Sequence, residues 1–82
     1  MNRIEFENMI EKLFEQAKQN GLNYKTIIAG DLHEKVGRYP GPDHRMPTCC
    51  DVMKKKMKAG DEIVESPPSG YGASLKIKYK LL

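Results

Sequence analysis

The seven residues Leu75-Lys76-Ile77-Lys78-Tyr79-Lys80-Leu81 constrain this chain more than any other stretch. Apolar and basic side chains alternate with period two. That pattern marks an antiparallel strand with one face buried and one face in water. Leu75, Ile77, Tyr79 and Leu81 are expected to face a core, with Lys76, Lys78 and Lys80 outward. Such a strand is not stable alone, so the chain must supply partner strands and a cover for the apolar face. Asp61-Glu62-Ile63-Val64-Glu65 suits a hairpin partner, with Glu62 and Glu65 offsetting the lysines across the ladder. The connecting residues 66–73, Ser-Pro-Pro-Ser-Gly-Tyr-Gly-Ala, are too many for a tight turn.

The cover comes from residues 3–20. Phe6, Met9, Ile10, Leu13, Phe14 and Ala17 recur at helical spacing and form a broad apolar stripe. Asn2 and Glu5 have the spacing of a capping box. Asn20-Gly21 is a stop signal. The spacing predicts that Leu75, Ile77 and Tyr79 pack against Phe6, Leu13 and Phe14. Tyr24-Lys25-Thr26-Ile27-Ile28 is β-branched and aromatic, as expected of a short strand. A short helix follows from Ala29, with Asp31 in its first turn, Leu32 and Val36 on its buried side and Gly37 at its end.

Residues 37–45, Gly-Arg-Tyr-Pro-Gly-Pro-Asp-His-Arg, form a loop by composition. A third helix is expected over residues 47–58, because Pro47 suits a first helical position. Met46, Cys49, Cys50, Met53 and Met57 make its apolar stripe, leaving Thr48, Asp51, Lys54, Lys55 and Lys58 outside.

With 82 residues the chain makes one domain, 1–82, with a small core. Its formal charge of +3 is uneven: residues 21–60 carry eight basic and four acidic side chains, while the flanking parts nearly balance. A basic patch on a nearly neutral domain suits a phosphate-facing surface. No apolar run approaches the ~20 residues of a membrane span, and the amphipathic, acidic N-terminus is unlike a signal peptide. Two adjacent cysteines are poorly placed for a structural disulfide, which points to a reducing cytoplasm.

The order helix, strand, helix, loop, helix, hairpin resembles a winged helix-turn-helix domain over essentially the whole chain. The resemblance implies an α+β, winged helix-like fold: three helices with a small antiparallel sheet, the strand at 24–28 joining the hairpin. It places the recognition helix on residues 47–58 and the wing tip on residues 66–73. It also implies a non-catalytic module that binds nucleic acid, double-stranded DNA in particular. Arg38, Tyr39, His44 and Arg45 from the loop, Thr48, Lys54, Lys55 and Lys58 from the helix, and Ser69 and Tyr71 from the wing are the expected contacts. The loop and the first N–H groups of the helix, those of Thr48 and Cys49, are expected to hold a phosphate. The lysines suit phosphate in general, and Arg45 suits discrimination between sequences. The helix body lacks an arginine or asparagine of its own for base edges.

Other readings carry less. A protein-binding module would use the hairpin edge with Tyr39 and Tyr71. A metal or redox sensor would draw on His33, His44, Cys49 and Cys50, but adjacent cysteines diverge on a helix and no C-x2-C spacing is present. A thiol near His44 at a helix start would have a lowered pKa, yet no acid–base partner accompanies it. Neither metal nor cofactor is expected.

Overall fold

The computed structural model describes residues 2–37 and 45–82. Three helices and three strands follow one another as α1 (Arg3–Gln19), β1 (Tyr24–Ile28), α2 (Ala29–Val36), α3 (Met46–Lys55), β2 (Glu62–Glu65) and β3 (Lys76–Lys80). The strands form one antiparallel sheet in the order β1-β3-β2. This is the α+β, winged helix-like layout expected from the sequence.

Local signals set α1. The Asn2 side chain accepts from the Glu5 N–H at 3.2 Å, and the Glu5 carboxylate accepts from the Asn2 N–H at 2.9 Å. At the other end, Leu22 N–H reaches the Ala17 carbonyl and Gly21 N–H reaches that of Lys18. Gly21 takes φ 77°, which makes this a Schellman stop. Phe6, Ile10, Phe14 and Ala17 are buried, whereas Met9 and Leu13 lie at the margin of the core.

The alternation at the far end of the chain does what its pattern demands. Leu75, Ile77 and Tyr79 are fully buried, and Leu81 is half-buried. Tyr79 meets Phe14 edge-on at 5.0 Å between ring centroids. Across the ladder Glu62 stands opposite Lys78, and Glu65 opposite Lys76, with a bulge at Val64. β2 is a short edge strand, exposed along its whole length.

α2 starts directly after β1, with Ile28 at the N-cap position, a side chain that offers no acceptor. Its first donors are satisfied by the hairpin instead. Ala29 N–H donates to the Leu75 carbonyl at 2.8 Å and Gly30 N–H to the Ala73 carbonyl at 2.9 Å. A Cβ on Gly30 would lie 3.3 Å from Ala73, so this close approach suits glycine.

α3 is shorter than the periodicity suggested: it spans Met46–Lys55, not residues 47–58. Its Met53 carbonyl accepts from the Tyr79 hydroxyl at 2.7 Å, and Met57 N–H turns back to the Lys54 carbonyl. Asp61 then accepts from both Lys58 N–H and Lys80 N–H, pulling the chain off the helix axis toward β3. Lys58 therefore stands beyond the helix, and Met57 is only partly buried. Val52, absent from the expected stripe, is buried because α3 packs against both α1 and α2.

Candidate functional site

The outward face of α3 carries Thr48, Asp51, Lys54 and Lys55, and the loop between β2 and β3 lies along one side of it. Two contacts seat that loop. The Cys50 thiol donates to the Gly72 carbonyl at 3.3 Å, and the Lys54 ammonium sits 4.1 Å from the centroid of the Tyr71 ring. A cation over an aromatic face is attracted by the ring quadrupole. Gly70 sits at φ 79°, where an L side chain is strained, and a Cβ there would fall 2.9 Å from the Lys54 nitrogen and push that flexible side chain aside. The glycine thus allows the ammonium to settle beside Tyr71.

The loop is internally bonded. Gly70 N–H donates to the Pro67 carbonyl and Tyr71 N–H to the Ser69 hydroxyl. These two N–H groups are thus taken up within the loop. Ser66, Pro68, Ser69 and the Tyr71 ring are the exposed groups of the wing.

On its other flank α3 meets α1. Arg3 Nη1 donates to Asp51 Oδ2 at 2.6 Å, and the Lys55 ammonium stands 3.7 Å from the same oxygen. The Arg3 hydrogen bond, helped by the charges of Lys55 and Arg3, holds the Asp51 carboxyl below its ordinary range. The one acidic group on this face is therefore ringed by two cations. Lys56 turns away to Glu11 on α1 at 3.1 Å. Lys58 is apart from the helix face, with its ammonium 6.0 Å from the Phe14 ring centroid.

Arg45 is exposed at the N-cap of α3. Its N–H donates to the Nε2 atom of the fully buried His33 at 2.7 Å, and its carbonyl accepts from Cys49 N–H at 2.9 Å. The Cys49 N–H is thus bound in the helix and not free for a phosphate. His33 also accepts the Gly37 N–H on its own carbonyl at 2.8 Å. One residue of α2 therefore holds both described ends of the 37–45 loop. Arg38, Tyr39 and His44 lie outside the described residues.

The cysteines face apart, as adjacent helical positions must. Cys49 donates to the Ala29 carbonyl at 3.6 Å while Cys50 reaches Gly72. Burial pushes the Cys49 thiol up to about 12, with Cys50 adding to it, and burial raises Cys50 as well. This reverses the expectation of a lowered pKa at the helix start: desolvation outweighs the helix dipole. Among the described residues no group of three or more His, Cys, Asp or Glu side chains is placed to hold a metal ion. Two shallow grooves of about 230 and 300 Å³ run between α1 and α2, and neither is lined by a cysteine. No helix among the described residues is long and apolar enough to cross a membrane.

Sequence reasoning missed Arg3 and His33 as parts of this region. Arg3 is 48 residues from Asp51 and its role depends on how α1 crosses α3. His33 lies one position after Leu32 on a short amphipathic helix, and only the packing shows that its Nε2 accepts the Arg45 N–H. No family profile, curated protein or solved structure matches the chain.

Proposed function

We propose that this chain is a winged helix-turn-helix module that binds double-stranded DNA and has no catalysis of its own. The observation that supports the reading is the contact that joins the α3 face to the wing as one surface, with Lys54 packed on Tyr71. Arg45, Thr48 and Lys55 extend that surface along the helix, and Ser69 extends it along the wing. Lys54 and Lys55 would neutralise phosphates, since a lysine ammonium is a point charge without base-reading geometry. Arg45 would contribute discrimination. Buried, unpaired thiols support a reducing compartment such as the cytoplasm.

Binding to a random-sequence duplex, measured over a range of salt concentrations, tests this directly. Each phosphate contact contributes ~0.9 to the logarithmic salt slope. Replacing Lys54 and Lys55 together by alanine should lower the slope by up to about 2 and weaken all duplexes alike. An unchanged slope, or no binding to any duplex at low salt, sinks the proposal. The second outcome would favour a protein partner added at β2, where Ile63 and Val64 lie 44% and 51% exposed on the free edge of the sheet.

A further inference from the structure

We propose that Arg3, from the first turn of α1, is the guanine-reading side chain of this surface, and that Asp51 is the positioning residue that aims it. The proposal rests on the DNA-binding reading above and adds the base class and the residues that select it.

The exposed face of α3 presents no arginine, asparagine or glutamine of its own. Those are the side chains that fork onto purine edges in the major groove. In their place the helix carries Asp51, a residue that repels phosphate. Its presence there calls for a role, and its geometry supplies one. The carboxylate takes the Arg3 guanidinium at 2.6 Å and so brings an arginine from another helix onto the α3 face.

Stability is a poor explanation of this pair. The Arg3 side chain is 44% exposed and that of Asp51 31% exposed. Ion pairs in water at that level contribute little, because screening and side-chain ordering offset the attraction. Pre-organisation is a better one. A guanidinium has five N–H donors, and Asp51 engages Nη1 alone, so Nε and Nη2 keep theirs for a ligand. Guanine offers O6 and N7 side by side as acceptors, the commonest specific contact of arginine with DNA. Anchoring the long side chain at one nitrogen removes part of the ordering cost that binding would otherwise carry. Lys55 on the same carboxylate oxygen leaves the three-residue cluster with a net positive charge, so it does not repel the backbone as the base is approached. The lowered pKa of Asp51 keeps it ionised wherever a duplex is intact. Its remaining acceptor capacity suits the N4 amino group of cytosine, the partner or neighbour of such a guanine.

Selection from a duplex pool randomised at its centre, followed by affinities for single-base variants of the selected duplex, tests the assignment. Wild-type protein should select guanine at one position and lose about tenfold or more on its replacement. Arg3→Lys keeps the charge and the ion pair but not the fork, and should abolish that preference, bringing affinity for the selected duplex down to that of its single-base variants. Asp51→Asn should move the two quantities in opposite directions: tighter binding to the pool, because a negative charge is gone, and weaker discrimination, because Arg3 is released. A purely structural ion pair cannot produce that opposition. Melting temperatures of the variants identify any that fail to fold, and Arg3→Lys and Asp51→Asn, both conservative and at the surface, should melt close to wild type. If both variants keep the wild-type guanine preference, or if wild type binds duplexes without selecting guanine, Arg3 is not the reader, while DNA binding itself stands. If wild type binds no duplex, the DNA-binding reading fails and this one with it.

Discussion

Tyr79→Phe removes one oxygen atom and isolates the contact that ends α3. The ring stays, so the apolar burial and the edge-on contact with Phe14 at 5.0 Å are kept. What goes is the hydroxyl that donates to the Met53 carbonyl at 2.7 Å. That carbonyl belongs to the last turn, and its usual partner, Met57 N–H, is bonded to Lys54 instead. Tyr79 and Met53 are both fully buried, so water has no easy route to replace the donor. An acceptor left unsatisfied in such a place costs ~1–3 kcal/mol. A loss of about 2 kcal/mol is a factor of ~30 in the folding equilibrium, and in a domain this small it lowers the melting temperature by roughly 8–16 °C. Urea unfolding should show a lower midpoint with the same slope, since the surface exposed on unfolding is unchanged. Amide exchange at Lys56 and Met57 should quicken more than at the α1 amides, because the last turn of α3 loses its anchor. A midpoint equal to wild type, with exchange at Lys56 and Met57 unaltered, would refute the claim that this hydroxyl terminates the helix.

Three further outcomes follow from the same contacts. Asp51 has its carboxyl pKa lowered in the fold, so its stabilising pairing is fully present above the ordinary carboxylate range near ~4 and is lost as pH falls through the folded-state value; because the pair is exposed, the urea midpoint of wild type should exceed that of Asp51→Asn only slightly at neutral pH, the small gap should close in acid, and a gap that widens as pH falls would contradict this. Gly70→Ala forces a side chain into a positive-φ position and into the Lys54 ammonium, so it should lower stability by about 1–3 kcal/mol and weaken duplex binding; a variant as stable as wild type would mean that the loop adjusts freely. Ile10→Ala, at a fully buried site, should cost ~2–5 kcal/mol, and Leu13→Ala less because Leu13 is only partly buried; chemical denaturation that reversed this order would show that the core is drawn in the wrong place.

What the sequence made legible was local. Asn2 with Glu5, and Asn20 with Gly21, are signals complete within a few residues, and both ends of α1 form as those signals require. The strand alternation of Leu75, Ile77 and Tyr79 needed no knowledge of the partner, because a period of two separates the faces by itself. The end of α3 was not legible. Met57 continues the apolar period, and the hydroxyl that stops the helix arrives from β3. Val52 was passed over because a single stripe was expected where α3 is gripped from two sides. His33 could be seen as a possible ligand, but its actual duty, accepting the Arg45 N–H, depends on where the 37–45 loop returns. The candidate site divides in the same way. Lys54 and Lys55 were visible as a basic cluster, and Tyr71 as a wing aromatic. The ion pair that carries Arg3 to Asp51 joins parts of the chain with no sequence relation at all.

The strand order β1-β3-β2 has a bearing on how the protein comes into being. Both outer strands pair only with the central one, and the central one is the last to be made. During synthesis α1 can form early on its own caps, but β1 and β2 must wait without partners until the residues after Ser74 have been added. Contacts between distant parts of a chain form slowly. A polypeptide arrested short of Lys76 would have no sheet at all, only two strand segments with unpaired backbone edges, the kind of surface that recruits other chains.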